Sequence, residues 1–216
     1  MMELERTALG AAVASSVLSL GDAVLRATSD TVPPWDDEQG TAWGTSGVGI
    51  LLGVTFALLT AVLVRNATAI DGGGGARRWI RRALAVDLGI LAAGSLVATV
   101  VESEVVGGAA GVTFLAMFVL GEALGLGLLG RPETRVPGAL MASATPVIGL
   151  TFALEALAPG WGHPGYAETV LYLGIALLGI AATTVRESGN GSLVGARSGS
   201  PSSQPAPPPV MGTTRG

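Results

Sequence analysis

A run of 22 residues without a charged side chain, residues 43–64, restricts this chain to one kind of environment. At 1.5 Å per residue, a helix of this length is about 33 Å long, which matches the hydrocarbon core of a bilayer. The composition agrees, because only 13% of the residues are charged, whereas about a quarter are charged in soluble domains. The sequence therefore predicts an all-α protein that lies in a membrane.

Five further apolar runs are each long enough for a helix that crosses a bilayer. The predicted spans are residues 7–25, 43–64, 83–101, 105–130, 136–158 and 166–185. They predict a polytopic six-helix transmembrane domain over residues 1–187. Residues 188–216 are rich in glycine, serine and proline, and we expect a disordered tail there because such a segment cannot bury a core.

The first run, residues 7–25, has two interpretations. A secretory signal peptide begins with positive charge, whereas residues 1–6 contain two glutamates and one arginine. We therefore interpret the run as a retained helix. Cleavage after a small residue such as Ala23 or Ala27 is the alternative, since this run is the most polar of the six.

The arginines predict the orientation. The chain contains twelve arginines and no lysine, a bias typical of GC-rich prokaryotic genomes. With six spans, the N-terminus, the loops at residues 65–82 and 131–135 and the C-terminal tail share one side, which then holds every arginine except Arg26. Because arginine-rich loops stay in the cytoplasm, both termini are predicted to be cytoplasmic, in a multi-pass protein of the cell membrane.

A basic segment lies between the second and third spans. Trp79 is flanked by Arg77, Arg78, Arg81 and Arg82. Tryptophan and arginine both favour the membrane interface, where each cation gains about 1 kcal/mol from anionic headgroups. The segment therefore predicts contact with anionic lipid, and nothing in the sequence indicates a nucleic-acid partner.

Two carboxylates interrupt the apolar runs near the arginine-rich side. Asp87 lies about 7 Å, and Glu122 about 12 Å, from the inner ends of their helices, so they could share one tier. An ionisable side chain at this depth costs about 2.5 to 3.5 kcal/mol and needs an explanation. Either they form a proton relay or cation site, or they are simply protonated or hydrogen-bonded to hydroxyls of a neighbouring helix.

The surroundings of Glu122 favour a position inside the protein. Gly111, Leu115, Phe118, Glu122 and Gly125 fall on one stripe of the fourth helix, so we expect the glutamate to point at protein rather than lipid. Asp87 is aligned with a glycine of its own helix in the same way.

A second tier is predicted near the opposite face. Asp22 lies late in the first span and Glu168 early in the sixth. If the last three helices repeat the first three in inverted orientation, Asp22 corresponds to Glu122 and Asp87 to Glu168, which is an arrangement common in transporters. The four acids would then form an ion or proton pathway.

Glycine and proline predict how the helices pack and bend. Gly49 with Gly53, and Gly121 with Gly125, have the spacing that allows close approach of helices in lipid. The sequence leaves open whether these faces meet within one bundle or between two copies of the chain. Pro146 removes a helical hydrogen bond near the middle of the fifth span and predicts a kink there.

Two functions from different classes fit this pattern. The first is a non-catalytic membrane subunit or scaffold that packs through glycine-rich helix faces against a membrane partner or a second copy. The second is a small proton- or cation-coupled transport module that uses the intramembrane carboxylates. With no cysteine and a single histidine, His163, which we expect to be a solvated loop residue, the sequence predicts no catalytic group, metal cluster or cofactor site.

Overall fold

A computed structural model describes residues 3–29, 33–36, 40–100 and 104–197, without the side chains of residues 104–110 and 186–197. Within these ranges the chain is all-helical and contains no strand, which confirms the predicted fold class. The α-helices are α1 (Glu3–Thr28), α2 (Ala42–Arg65), α3 (Ala67–Asp71), α4 (Gly75–Ala98), α5 (Glu104–Leu128), α6 (Arg135–Ala142), α7 (Ala144–Leu157) and α8 (Gly165–Arg197), and a short 3-10 helix, Pro132–Thr134, precedes α6.

The predicted disordered tail falls mostly outside this description. Helix α8 continues to Arg197, twelve residues beyond the predicted end of the sixth span at residue 185. Residues 198–216 lie outside the described residues, and the disorder of the tail stays a prediction.

Five helical segments are long and apolar enough to cross a membrane, among the residues described. They are Glu3–Thr28, Ala42–Arg65, Gly111–Leu128, Pro132–Leu157 and Gly165–Val185. Many large apolar side chains lie on the outside of the helices, as in a protein whose solvent is lipid. Helix α4 does not meet the same criterion of length and apolarity, so the sixth span is not established in this way.

The long helices form a ring in the order of the chain. Each packs against the next, α6 and α7 together taking one position, and α8 packs back against α1. Helices α2 and α8 also contact each other, through residues such as Phe56 and Tyr172, whose rings meet edge to face at 5.6 Å. A ring of this order results with or without an internal repeat, so the inverted repeat stays a prediction.

Both glycine pairs lie at contacts between helices of the same chain. A Cβ atom added to Gly53 would lie 2.7 Å from Leu96 Cγ on α4, and one added to Gly49 would lie 2.7 Å from Thr99 Cγ2. Gly121 faces Leu171 of α8 equally closely, and Gly125 faces the backbone of α6. These faces therefore meet inside the bundle.

The fifth predicted span is broken into α6 and α7 at Ser143. Pro146 has no N–H to donate to the Ala142 carbonyl, and the helix is interrupted one turn before it. The Ser143 hydroxyl donates to the Leu140 carbonyl at 2.7 Å, which satisfies part of the backbone at the break. The helix is thus broken close to the predicted kink, and the break matters because α6 packs extensively on α5 whereas α7 makes few contacts with it.

Candidate functional site

The arginine-rich end of the bundle is held by a buried ion pair. Arg81 Nε donates to Asp71 Oδ1 at 2.8 Å and Nη2 donates to Oδ2 at 3.1 Å, a two-point contact between side chains that are both more than 90% buried. Arg81 Nη1 also donates to the Leu63 carbonyl at 3.3 Å. This pair fixes the short helix α3 against α2 and α4.

The expectation that Arg81 lies at the lipid headgroups is therefore wrong. The residue is 5% exposed, because its position on α4 turns the guanidinium toward Asp71 rather than toward the surface. Asp71 precedes Gly72, whose left-handed backbone (φ 50°) ends α3 and reverses the chain toward α4. This reversal brings the carboxylate and the guanidinium together across ten residues.

The other members of the basic segment lie at the surface. Trp79 is 72% exposed, and the Arg82 guanidinium lies over its ring at 5.9 Å from the ring centre. Arg78 is exposed and only 3.7 Å from Asp71 Oδ2, while Arg77 donates to the Gly127 carbonyl at 3.3 Å. Three arginines and one tryptophan thus remain as a basic surface, defined here as Arg77, Arg78, Trp79 and Arg82.

Glu5 forms a second buried contact at this end. It is 1% exposed, it accepts a hydrogen bond from Asn66 Nδ2 at 3.4 Å, and it lies 3.8 Å from Arg65 Nε. Its other carboxylate oxygen and Asn66 Oδ1 are buried without a hydrogen-bond partner among the described residues. The contact joins the start of α1 to the end of α2.

Asp22 is the centre of a polar cluster at the opposite end. Its carboxylate accepts hydrogen bonds from Arg26 Nε at 2.9 Å, from Trp35 Nε1 at 3.2 Å and from His163 Nε2 at 2.8 Å. Because His163 Nδ1 accepts the Gly165 N–H at 3.1 Å, the neutral ring carries its proton on Nε2. His163 is thus held in a half-buried contact, and the expectation of a solvated loop residue is wrong.

Glu168 lies in the same cluster. Its Oε2 accepts hydrogen bonds from Ser19 Oγ at 3.1 Å and from Tyr172 Oη at 3.3 Å. Ser19 and Asp22 are one turn apart on α1, so the structure brings Asp22 and Glu168 to the same level where α1 meets α8. Below them, Ser15 and Thr55 share a hydrogen bond of 2.9 Å between α1 and α2.

Asp87 is 7% exposed and forms no ion pair with any residue in the described part of the chain. It borders a surface groove of about 390 Å³ between α4 and α5, lined by Trp79, Arg82, Val86, Ile90 and Leu120. Its Oδ2 is buried without a hydrogen-bond partner among the described residues. Leu120 is the contact on the α5 side of this groove.

Glu122 leaves α5 on a different side. It accepts a hydrogen bond from the Thr145 hydroxyl of α7. Since Leu120 and Glu122 are two positions apart, they point about 200° apart around the helix. The structure therefore does not bring Asp87 and Glu122 together.

The stripe of α5 that carries Glu122 is only partly turned toward protein. Phe118 and Gly125 are buried, but Leu115 is 67% exposed and Gly111 has no atom near the position of a Cβ. Protein therefore covers the stripe around Phe118 and Gly125 only, because α7 makes few contacts with α5 beyond Ser143 and leaves the far half of the stripe uncovered.

No group of three or more histidine or carboxylate side chains that could hold a metal ion is found among the described residues. Comparison with protein-family models, with curated proteins and with solved structures gave no match. The fold and the polar contacts described above are thus the basis for any functional argument. They fit a helical membrane protein.

Proposed function

We propose that the chain is a non-catalytic membrane subunit or scaffold. The observation that carries this proposal is the position of the two inner acids. Asp87 borders a groove between α4 and α5, Glu122 accepts a hydrogen bond from Thr145 of α7, and the core between the helices is filled by large apolar side chains such as Leu59, Leu63 and Tyr172. The two acids therefore do not share a path, and Glu122, which is only half-buried, is suited to contact with a partner.

A proton- or cation-coupled transport module is the second candidate. It is favoured by the cluster at the far end, where Asp22 and Glu168 lie together with His163 and Tyr172 between α1 and α8. In this version of the hypothesis the pathway starts from that cluster, and Asp87 and Glu122 are not part of it.

Six spans with both termini on the arginine-rich, cytoplasmic side of a cell membrane remain our proposed topology. The contacts of α4 support it, because Gly49 and Gly53 of α2 meet Thr99 and Leu96, and the Leu63 carbonyl meets Arg81 at the other end. Helix α4 therefore lies antiparallel along most of α2. Two helices in contact over this length occupy the same depth, so α4 crosses the membrane if α2 does.

The test of the proposed function combines isolation and flux. Extracted in mild detergent from the membranes of the cells that encode it, the chain is expected to migrate in a complex larger than one 21.5 kDa copy. Purified alone and reconstituted into vesicles under a pH gradient, it is expected to pass protons no faster than empty vesicles do.

The opposite flux result would favour the transport module. A proton or cation flux that is lost in Asp22→Asn or Glu168→Gln, with Asp87→Asn as the matched control, would replace the subunit proposal by the second candidate. A chain isolated only as a single copy would also contradict the subunit proposal.

Contact with anionic lipid is the second property that we propose, now for the basic surface without Arg81. Replacing Arg77, Arg78 and Arg82 together by alanine is expected to lower the affinity for anionic nanodiscs by a factor of about 100, since each cation contributes roughly 1 kcal/mol. Binding of the detergent-solubilised protein to anionic nanodiscs measures this. Neutral nanodiscs are the control, and an unchanged preference for anionic lipid would show that the segment is a passive connector.

A further inference from the structure

An open groove lies between α5 and α7 on the outer surface of the bundle. It has a volume of about 280 Å³ and is lined mainly by apolar side chains, among them Phe114, Leu115, Phe118, Ile148 and Phe152. The break at Ser143 explains it, because α6 packs on α5 through Gly125 and α7 then diverges.

Glu122 and Thr145 lie about one helical turn beyond Phe118 and Ile148, the lining residues at one end of this groove. Along α5, Leu115, Phe118 and Glu122 are spaced at three and four residues, and along α7 the same spacing joins Thr145 to Ile148 and Phe152. The hydrogen-bonded pair therefore continues the two lining stripes. At the other end, the Glu155 carboxylate accepts the N–H groups of Gly160 and Gly162 at 3.0 and 2.9 Å and closes the loop before α8.

The carboxylate of Glu122 is incompletely covered at membrane depth. Its residue is half-buried, the Thr145 contact is exposed, and it makes no ion pair with any described residue. Counted at 1.5 Å per residue, it lies about 12 Å from the arginine-rich loop. A carboxylate at this depth normally has a partner of opposite charge or a strong donor.

We propose that this groove binds a transmembrane helix of a different protein, one that carries a lysine or arginine at the depth of Glu122. The proposal rests on the function proposed above and names the partner surface. The groove extends along α7 from Ile148 to Glu155, about 10 Å or two helical turns, and the distance becomes about 15 Å when Thr145 is included. Side chains of the partner helix fill the apolar part, and its cation pairs with Glu122.

Charge selects this occupant over the two alternatives. The acyl chain of a lipid fills an apolar groove but offers no donor to a carboxylate at the depth of Glu122. A second copy of the chain docked symmetrically through the same groove brings one Glu122 against another, and like charges repel. A basic residue on a different helix satisfies both the groove and the carboxylate.

Cross-linking from single cysteines tests the proposal, because the natural sequence has no cysteine. A photoactivatable reagent is attached to a Phe152→Cys variant, whose site is 73% exposed in the groove, in membranes of the cells that encode the chain. The control is Val17→Cys, whose site is 65% exposed on α1. The expected result is an adduct from residue 152 whose partner peptide, sequenced by mass spectrometry, is a membrane segment that contains lysine or arginine.

Dependence on the carboxylate is the decisive measurement. Glu122→Gln is expected to lower the adduct yield about tenfold, the factor that corresponds to 1.4 kcal/mol, which is within the range for hydrogen bonds between membrane helices. Asp87→Asn, which changes an acid on another face, is expected to leave the yield unchanged. If Glu122→Gln is not recovered as folded protein, Thr145→Val, which removes the hydroxyl that positions the carboxylate, is expected to lower the yield severalfold.

Charge exchange completes the test. Glu122→Lys is expected to abolish the adduct, and replacing the partner's basic residue by glutamate is expected to restore it. An adduct between two copies of the chain, equal yields at residues 17 and 152, or a yield insensitive to Glu122 would each overturn the proposal. If the chain remains in a complex while residue 152 forms no adduct, the groove is not the docking surface and the proposed subunit function stands.

Discussion

Replacing Arg81 by methionine is expected to destabilise the folded protein by about 3–5 kcal/mol, the cost of leaving one member of a buried ion pair without its partner. The Asp71 carboxylate would remain more than 90% buried and lose both of its short contacts, at 2.8 and 3.1 Å. The Leu63 carbonyl would lose its bond from the same guanidinium. Unfolding of the detergent-solubilised protein, followed by circular dichroism, measures the change.

Arg78 supplies the matched control. It lies on the same turn of α4 and approaches the same carboxylate, but at 3.7 Å and with a side chain that is 51% exposed. Arg78→Met is therefore expected to cost at most about 1 kcal/mol, because solvent screens an exposed pair. Equal losses for the two variants would show that the buried pair does not hold this end of the bundle.

The double variant Asp71→Asn with Arg81→Met separates the cost of an unpaired charge from the value of the pair. Removing both charges takes away the unsatisfied carboxylate, so most of the lost stability is expected to return. If the double variant is as unstable as Arg81→Met alone, the pair contributes through its geometry, by holding α3 against α4, and not only through charge.

The all-α fold class and the break in the fifth predicted span could be predicted because they depend on local properties of the chain. Long apolar runs require helices, and Pro146 removes a backbone donor whatever surrounds it. The glycine pairs could be predicted as contact faces for the same reason, since the absence of a side chain is itself the signal. In each case the physical cause lies within a few residues of its effect.

The polar contacts could not be predicted, because their partners are distant in the chain. His163 reaches Asp22 across 141 positions, and Ser19 reaches Glu168 across 149. Hydropathy treats Ser19 as a mildly polar member of an apolar helix and gives no information about its neighbour. The prediction that Asp22 and Glu168 share one level came from counting depth along each helix, and the structure does bring these two residues together.

The depth of a residue along its helix did not predict the neighbours of Asp87 and Glu122, because depth does not specify the side of the helix. Both acids are near the arginine-rich end, but the groove beside Asp87 reaches Leu120 of α5, whereas Glu122 faces Thr145 of α7. The preference of arginine for the membrane interface did not predict the position of Arg81, for a related reason. One position along a helix turns a side chain by 100°, which is enough to exchange the membrane surface for the protein interior.

Gly125→Ala is expected to be the most damaging methyl addition in α5. A Cβ atom there would lie 2.6 Å from the Ala142 backbone nitrogen and 2.7 Å from the Gly138 carbonyl oxygen, and backbone atoms cannot rotate out of the way. Helix α6 would have to move, although it is also packed against α8, where Gly174 lies close to Met141. We expect a loss of about 3 kcal/mol, at the upper end of the range for overpacked cores, measured by the same unfolding experiment.

Gly111→Ala is the matched substitution on the same helix. Nothing lies within 4 Å of the position of its Cβ, and alanine is favoured over glycine in a helix by up to about 1 kcal/mol, so stability is expected to stay the same or rise. Because α6 leads directly into the break at Ser143, Gly125→Ala should also shift α7 and change the groove that contains Phe152 and lies next to Glu122. Loss of cross-linking from residue 152 in Gly125→Ala, but not in Gly111→Ala, would connect the packing of α5 on α6 to the docking surface. Equal stability of the two variants would instead show that α6 yields easily and that the contact at Gly125 does not position α7.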